Sequence, residues 1–368
     1  MLELLFYIFI AVVFIQLMYH LVLFSRLAFY KPQKTIVRSE PVSVILYTKN
    51  QAEVLANKID ILLNQQYPTF EIVVINNAST DDTAEILKQY ADDFPNIHVV
   101  DVKNNEAFWG STKYALTLGI KASKHDEIIF TDTEQTIDSE HWLANMSAGF
   151  SSKKGLVMGI ELLEQRKGFL NKIMRFRYIS NQQWHINLTK LSQPIGLPLN
   201  NVGYKKSVFF DNQGYIRFMN YFHYTHELFF SEAAKRKNTT ICLAKDSFSY
   251  VEAPKNNSEF MQQSVEESAI LRQFGNGHRL LKSLYSISVV FFIILAIILL
   301  VSAHYQPYII AAIIIFRYGF CWLINGKTYQ YFGYKDLIVW FPLLEWIDLL
   351  TQFRITLKSI FHKPLIKK

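Results

Sequence analysis

Three long apolar runs constrain this 368-residue chain more than any other feature. They are Leu4 to Phe24, Leu284 to Ala303 and Tyr308 to Ile324, and the last of them contains one charged residue, Arg317. A helix needs about 20 predominantly apolar residues to cross the hydrocarbon core of a bilayer. The sequence therefore predicts one transmembrane helix near the N-terminus and a transmembrane hairpin, residues 283–326, near the C-terminus.

The run near the N-terminus predicts an uncleaved anchor, residues 1–30, rather than a signal peptide. Its start, MLELL, has no basic leading region, and no small-x-small cleavage site precedes Tyr30. Basic residues follow this run and precede the next one: Arg26, Lys31, Lys34 and Arg38, then Arg272, Arg279 and Lys282. Because basic flanks stay in the cytoplasm, we expect the residues between the first two runs to be cytoplasmic.

Composition excludes several other classes of protein. The net charge of +7 lies largely at the membrane edges and in the lysine-rich end of the chain, where it suits anionic lipid headgroups. Basic and aromatic residues do not interleave as they do in nucleic-acid-binding proteins, so we expect no nucleic-acid partner. Cys242 and Cys321 are far apart, and the second lies in a predicted span, so the sequence predicts neither a disulfide nor a zinc site.

The segment from Asp336 to Phe361 is apolar on one side but carries several charged residues and Pro342. This pattern predicts an amphipathic helix that lies in the cytoplasmic interface. A third C-terminal span is the alternative, and it would carry the lysine-rich end of the chain to the outer face. Residues 256–282 are expected to form a connecting helix before the hairpin.

The middle of the chain, residues 40–255, alternates short apolar runs with helical patterns. The predicted strands are PVSVILYT, FEIVVIN, IHVVDV, EIIFTD and GYKKSVFF, and the predicted helices are Val54–Asn64, Asp82–Tyr90, Thr112–Ala122, Phe169–Trp184 and Glu227–Lys237. Apolar strands that alternate with helices predict an α/β domain with a mainly parallel sheet covered on both faces.

Polar residues follow three of these strands. The segments are Tyr47 to Asn50, Asn76 to Ser79, and Asp132 to Glu134. Ligands of parallel sheets bind at the carboxyl ends of the strands, so these segments predict one pocket. Alternatively, Asn76 and Asn77 are turn residues that tolerate positive φ, and Glu134 is a solvated loop carboxylate.

One long segment begins with PVSVILYTKNQAEVL and continues through FEIVVINNASTDDTAEIL, FWGSTKYALTLGIKAS and EIIFTDTE to HW. This segment resembles family 2 glycosyltransferases, which have the GT-A fold. The resemblance is close over residues 41–142 and looser to about Ser249. It is strongest to the membrane-anchored bacterial members, which implies a cytoplasmic catalytic domain at the bacterial inner membrane. It also implies transfer, with inversion, of a sugar from a nucleotide-diphosphate donor to a lipid-linked or cell-surface polysaccharide acceptor.

The resemblance also assigns roles to individual residues. Thr48 and Asn50 would contact the nucleotide, and Asn76 and Asn77 stand where the family usually has Asp-Asp. Lys113 would contact a phosphate, although a solvated helix lysine is the alternative.

The family's Asp-x-Asp motif becomes Asp132-Thr133-Glu134 here. Asp132 and Glu134 would hold Mg²⁺ or Mn²⁺, and Asp132 would also face the donor. Glu227 or His226 would be the general base, since the family's usual acidic cluster is reduced to YTHELFF, and a Gln-x-x-Arg-Trp motif is absent from the sequence. These departures motivate an alternative, a non-catalytic relative that binds a nucleotide sugar or scaffolds a membrane assembly.

Overall fold

The computed structural model describes residues 2–32, 38–103, 112–191, 200–221, 224–271, 277–302 and 306–362. The chain divides into two compact units. The sheet unit lies within residues 32–166 and 192–255, and the helical unit lies within residues 2–31, 167–191 and 256–362.

The predicted elements occur in the expected order, with additional short strands and short helices, and the helix predicted at Glu227–Lys237 ends at Ala233. The strands are β1 (Val42–Thr48), β2 (Phe70–Asn77), β3 (Ile97–Val102), β4 (Glu127–Asp132), β5 (Thr136–Ile137), β6 (Leu156–Met158), β7 (Glu161–Leu163), β8 (Val202–Lys205), β9 (Thr239–Ile241) and β10 (Ser249–Val251). The helices are α1 (Leu2–Met18), α2 (Ser25–Ala28), α3 (Ala52–Leu63), α4 (Thr83–Asp93), α5 (Thr112–Ala122), α6 (Trp142–Ser147), α7 (Phe169–Leu191), α8 (Lys206–Asp211), α9 (Thr225–Ala233), α10 (Asn257–Leu271), α11 (Gly277–Val301), α12 (Pro307–Tyr331) and α13 (Asp336–Phe361).

The sheet unit contains a seven-stranded sheet in the order β3-β2-β1-β4-β8-β6-β9. The first four strands in this order are parallel, whereas β8 runs antiparallel to both β4 and β6. A smaller sheet joins β5, β10 and β7. The predicted mainly parallel α/β fold is confirmed, and its nearly continuous apolar strands are those expected when both faces of a sheet are buried.

Two hydrophobic clusters cover the two faces of the large sheet. Successive side chains of a strand point to opposite faces, so Ile45 lies in one cluster while Val44 and Leu46 lie in the other. Residues of α5 and α9 complete the first cluster, and residues of α3, α4 and α6 complete the second. At Gly119 a β-carbon would lie 2.4 Å from Ile75 Cδ1, so this glycine allows α5 to approach β2 closely.

The prediction that GYKKSVFF is a strand is wrong beyond Lys205. β8 ends there and α8 begins at Lys206, whose backbone N–H donates to the carbonyl of Asp126 over 2.7 Å. The Asp126 carboxylate accepts the backbone N–H of Ser207 at 3.1 Å and so stabilises the first turn of α8. Helical turning brings Phe209 back over the sheet, where its ring stacks on Tyr204 at 5.8 Å.

Three helices of the helical unit are long and apolar enough to cross a membrane among the residues described: Leu2–Ala28, Leu280–Val301 and Pro307–Tyr331. Arg317 of the third donates two hydrogen bonds to Glu345 of α13, at 2.6 and 2.7 Å, and a third to Gln16 of the first at 2.7 Å. A charge within a span is costly unless it is paired, and this arrangement pairs it fully.

The helix α13 has the bounds that the sequence predicts, Asp336 to Phe361. It packs against α7, which belongs to the helical unit although it lies within the predicted domain 40–255. Two ion pairs join the helices: Arg175 donates to Asp336 at 2.6 and 2.9 Å, and Arg177 donates to Asp348 at 3.0 Å.

Candidate active site

The site is built at the carboxyl ends of three adjacent parallel strands. In the register of the sheet, Thr48 of β1 pairs with Asn76 of β2, and Tyr47 of β1 pairs with Asp132 of β4. The structure thus brings together the three polar strand ends. Thr48 is buried, and its hydroxyl has no hydrogen-bond partner in the described part of the chain. A buried, unpaired hydroxyl at a strand end is an available contact for a ligand.

The loops after β1 and β2 hold each other through polar side chains. Asn50 and Ala78 both have a left-handed backbone, with φ of 52°. The side-chain oxygen of Asn50 accepts the Thr80 N–H at 2.8 Å, and the Ser79 hydroxyl accepts the Asn50 N–H at 3.0 Å. Positive φ therefore falls on Ala78, next to Asn77, and on Asn50 in the other loop, and not on Asn76 or Asn77.

The two asparagines that replace the acidic pair are engaged with neighbouring side chains. Asn76 donates to the Asp101 carboxylate at 2.9 Å and accepts the Ser79 N–H at 3.3 Å. Asn77 donates to the hydroxyl of Tyr47 at 2.7 Å. Both buried amides therefore fix neighbouring side chains and backbone at the carboxyl ends of the strands. The sequence reasoning missed Asp101, which the polar end of the IHVVDV strand could have indicated.

Asp132 and Glu134 form the acidic edge of the site. One oxygen of Asp132 accepts the backbone N–H groups of Glu134 at 3.0 Å and Gln135 at 2.9 Å, which closes a tight turn after β4. Its other oxygen, and the exposed Glu134 carboxylate, have no hydrogen bond or ion pair to any described residue. The part of the chain that the structure describes holds no group of three or more His, Cys, Asp or Glu residues suited to a metal.

A buried lysine that the sequence reasoning missed lies beside this acidic edge. Lys58 of α3 donates from Nζ to the carbonyl of Gln135 at 2.6 Å. Burial lowers the pKa of Lys58 to about 8, against the opposing effect of the Asp132 charge. Burial likewise raises the pKa of Asp132 to about 6, while the Lys58 charge opposes the rise. Its spacing from Leu55 and Leu62, three and four residues away, placed Lys58 on the buried face of the helix and could have revealed it.

A second group of candidate residues lies where α5 meets α9. Lys113 is fully buried and donates from Nζ to the carbonyl of Tyr221 at 2.7 Å, which excludes a solvated helix lysine. Burial lowers the pKa of Lys113 to about 8, and the negative charge of Glu227 opposes this shift. Lys113 and Glu227 are therefore electrostatic partners.

The candidate base His226 is buried among aromatic side chains. The His226 ring lies 4.8 Å from the Phe130 ring, and its Nδ1 lies 3.5 Å from the hydroxyl of Tyr215. Burial, helped by the Lys113 charge, lowers the pKa of His226 to about 3, so the imidazole is neutral at ordinary pH. Since Phe130 is two residues before Asp132 on β4, its contact with His226 brings the start of α9 towards the same strand.

Comparison with known proteins defines the class of this domain. Residues 43–209 match the model of the family "Glycosyl transferase family 2". The sheet unit is therefore similar to family 2 glycosyltransferases over these residues, and its mainly parallel α/β sheet is the GT-A-like fold expected.

Two relatives and one solved structure show how far the similarity extends. The chain is 27% identical over 196 residues to the poly-beta-1,6-N-acetyl-D-glucosamine synthase of Staphylococcus epidermidis, covering 51% of this chain and 44% of that synthase. It is 25% identical over 189 residues to the synthase of the same name from Staphylococcus aureus, covering 49% and 43%. The chain thus spans less than half the length of these relatives. The mannosyltransferase PcManGT of Pyrobaculum calidifontis, solved with GDP-Man and Mn²⁺, has the same fold, with a TM-score of 0.56, 15% identity, and coverage of 98% of this chain and 99% of that one.

Proposed function

We propose that this protein is a membrane-bound glycosyltransferase that transfers a sugar, with inversion, from a nucleotide-diphosphate donor to a lipid-linked or cell-surface polysaccharide acceptor. The observation that carries the proposal is the convergence of Thr48, Asn76 and Asp132 at adjacent strand ends within a domain similar to family 2 glycosyltransferases. The buried, unpaired hydroxyl of Thr48 supports a ligand at this position.

In the proposed donor site, Thr48 and Asn50 face the nucleoside, and the amides of Asn76 and Asn77 hold the loop that receives it. An amide offers both a donor and an acceptor to a base edge. The hydrogen bond from Asn76 to Asp101 orients its side chain, so the two residues act together on the base. The ammonium group of Lys113 is buried. Its positive charge therefore acts on a donor phosphate through its electrostatic field.

The residues at the acidic edge fit a divalent cation. Mg²⁺ is usually held by one or two carboxylates together with substrate phosphates, and Asp132 and Glu134 offer two carboxylates whose free oxygens have no described partner. When bound, Mg²⁺ or Mn²⁺ neutralises negative charge on the departing nucleoside diphosphate. The turn that Asp132 closes fixes one of its oxygens on the backbone and leaves the other for this role.

We assign the general base to Glu227 rather than to His226. The acceptor hydroxyl oxygen forms the new bond to the anomeric carbon, the bond to the diphosphate breaks, and the acceptor proton passes to the base. An imidazole with a pKa of about 3 is a weak base for this step. The positive charge of Lys113 favours the ionised form of a nearby carboxylate, which is the form that accepts a proton.

For the whole chain we propose an anchor at residues 1–30 and a cytoplasmic catalytic domain within residues 40–255. A connecting segment at 256–282, a hairpin at 283–326 and an interfacial helix at 336–361 complete the arrangement. The apolar helices support association with a membrane, which we take to be the bacterial inner membrane. A helix in the interface would suit an acceptor that is drawn from the bilayer.

The decisive experiment is a screen for donor hydrolysis and sugar transfer with the purified full-length protein in lipid nanodiscs. UDP- and GDP-sugars are supplied with Mg²⁺, Mn²⁺ or a chelator, and lipid extracts serve as acceptors. Turnover that requires the metal and is lost in Glu227→Gln is expected. Metal-dependent binding of a nucleotide sugar without hydrolysis or transfer to any acceptor would reject the proposal in favour of a non-catalytic relative.

A further inference from the structure

The helical unit contains a polar cavity that the proposed transfer reaction does not use. Its volume is ≈ 90 Å³, room for several water molecules or a group of a few heavy atoms. Helices α7, α11, α12 and α13 and the end of the first candidate span all contribute to its wall. Asn181, Gln183, Lys282 and Asp348 are among its polar lining residues.

One cation beside the cavity, Lys282, has no ion-pair partner among the described residues, although the charges of Asp348 and Glu267 act on it at longer range. Both carboxylates that line it are paired with arginines: Glu345 with Arg317 at 2.6 Å, and Asp348 with Arg177 at 3.0 Å. Lys282 lines it too, and its Nζ donates to the side-chain oxygen of Asn181 at 2.8 Å. Among the described residues, no carboxylate forms an ion pair with Lys282. An ammonium group has three N–H donors, so this one has donors available for a ligand.

A buried amide adds a second donor. Gln183 lines the cavity, is 4% exposed, and its side-chain Nε2 has no hydrogen-bond partner among the described residues. Leaving a buried donor unsatisfied costs about 1–3 kcal/mol. A ligand with anionic oxygens would accept hydrogen bonds from both Gln183 and Lys282.

The cavity lies at one end of the candidate spans. His20 is near the end of the span Leu2–Ala28, Lys282 is near the start of Leu280–Val301, and Tyr329 is near the end of Pro307–Tyr331. The rings of Phe24, Trp184 and Tyr285, which line the cavity, pack edge to face with centroids 5.0 to 5.9 Å apart. Aromatic residues and lysines concentrate at the level of the lipid headgroups, so we expect the cavity to lie at that level if the three helices span a bilayer.

We propose that this cavity binds the phosphate of a membrane-lipid headgroup, with Lys282 and Gln183 as the donors. A volume of ≈ 90 Å³ accommodates a small group such as a phosphate. The proposal does not depend on the transfer activity. A bound lipid would hold α7, α11 and α13 together at the membrane edge.

Lipid binding to the full-length protein in detergent tests the proposal. The protein is titrated with phosphatidylglycerol, with diacylglycerol as the phosphate-free lipid and with inorganic phosphate as the free anion, and occupancy is measured by native mass spectrometry. We expect one phosphatidylglycerol to bind more tightly than diacylglycerol. Lys282→Met and Gln183→Leu should each weaken that site about tenfold, the loss expected for a hydrogen bond to a charged group.

Matched variants separate the site from general effects on charge and folding. Lys327→Met removes an exposed lysine from α12 outside the cavity and should bind lipid as the wild type does. Lys282→Arg should restore most of the affinity, and the melting temperature of each variant shows whether it is folded. Equal binding by wild type, Lys282→Met and Gln183→Leu would overturn the proposal. Displacement of the lipid by inorganic phosphate at equal concentration would overturn the lipid as the source of the phosphate.

Discussion

Substitution of Asp132 by Asn separates the two tasks that we give to this side chain. One oxygen accepts two backbone N–H groups, at 2.9 and 3.0 Å, and the other is available to a metal. Asparagine keeps one acceptor oxygen for the turn and removes the negative charge. We therefore expect the folded structure to survive and metal-dependent binding of a nucleoside diphosphate to be lost.

The expected magnitudes follow from the hydrogen bonds. Each bond contributes about 1 kcal/mol, so Asp132→Ala should lower the free energy of unfolding by about 2 kcal/mol, while Asp132→Asn should cost less than about 1 kcal/mol. For a unit of this size, 2 kcal/mol corresponds to a fall of about 4–8 °C in melting temperature. Both variants lose the charge, so both should lose the tightening of nucleotide binding by Mn²⁺, about tenfold or more in the wild type.

The assay is isothermal titration of UDP and GDP into full-length protein, with Mn²⁺ and with chelator, beside a thermal melt of each variant. Asp126→Asn is the matched control, because Asp126 also accepts a backbone N–H, at 3.1 Å, but lies at the opposite end of β4. This control should retain the effect of the metal. Undiminished Mn²⁺-dependent tightening in a folded Asp132→Asn protein would refute the assignment of this strand end as the metal site.

Three further predictions concern the second carboxylate, the base and the topology. Glu134→Asp should keep most of the transfer rate and shift the preference between Mn²⁺ and Mg²⁺. Glu134→Gln should weaken metal dependence more than Glu134→Asp does. Transfer rates unaffected by both changes would show that Glu134 does not bind the metal. Glu227→Gln should lower kcat by about 100-fold or more with little change in donor affinity, whereas His226→Gln should mainly lower the melting temperature; the reverse pattern would reassign the base. A reporter fused after Tyr30 and one at the C-terminus should both be cytoplasmic, and an external C-terminus would make α13 a third C-terminal span.

The strands and their polar ends could be predicted because the information is local. Each parallel strand is a short run of apolar residues that ends in polar ones, and the carboxyl ends of neighbouring parallel strands meet at one edge of a sheet. The pairing of Thr48 with Asn76, and of Tyr47 with Asp132, follows from that order. The strand prediction failed after Lys205, where the apolar pattern continues but the strand ends. Asp126, which is distant in sequence, accepts the backbone N–H groups of Lys206 and Ser207 and so stabilises the start of α8.

The packing of α7 could not be predicted from local patterns. Its aromatic spacing indicates a helix, but the ion pair between Arg175 and Asp336 joins residues 161 positions apart. Charged residues on a helix are usually solvated, and nothing near Arg175 in sequence indicates a carboxylate partner on α13. The burial of Lys58 and Lys113 is an intermediate case. Their positions on helical faces were available in the sequence, but lysine is so often exposed that the pattern is easily discounted.

These two lysines also bear on the departures from the family pattern. Replacing an acidic pair by Asn76 and Asn77 removes negative charge from the proposed donor site, while Lys58 and Lys113 place two buried cations around it. A diphosphate brings several negative charges, and buried cations interact with them more strongly than solvated ones because the surrounding dielectric is low. The carboxylates with a chemical task in the proposal are retained: Asp132 and Glu134 at the metal and Glu227 at the acceptor. The neutral amides are therefore compatible with a working donor site, because they weaken a contact to the base without weakening the field that holds the phosphates.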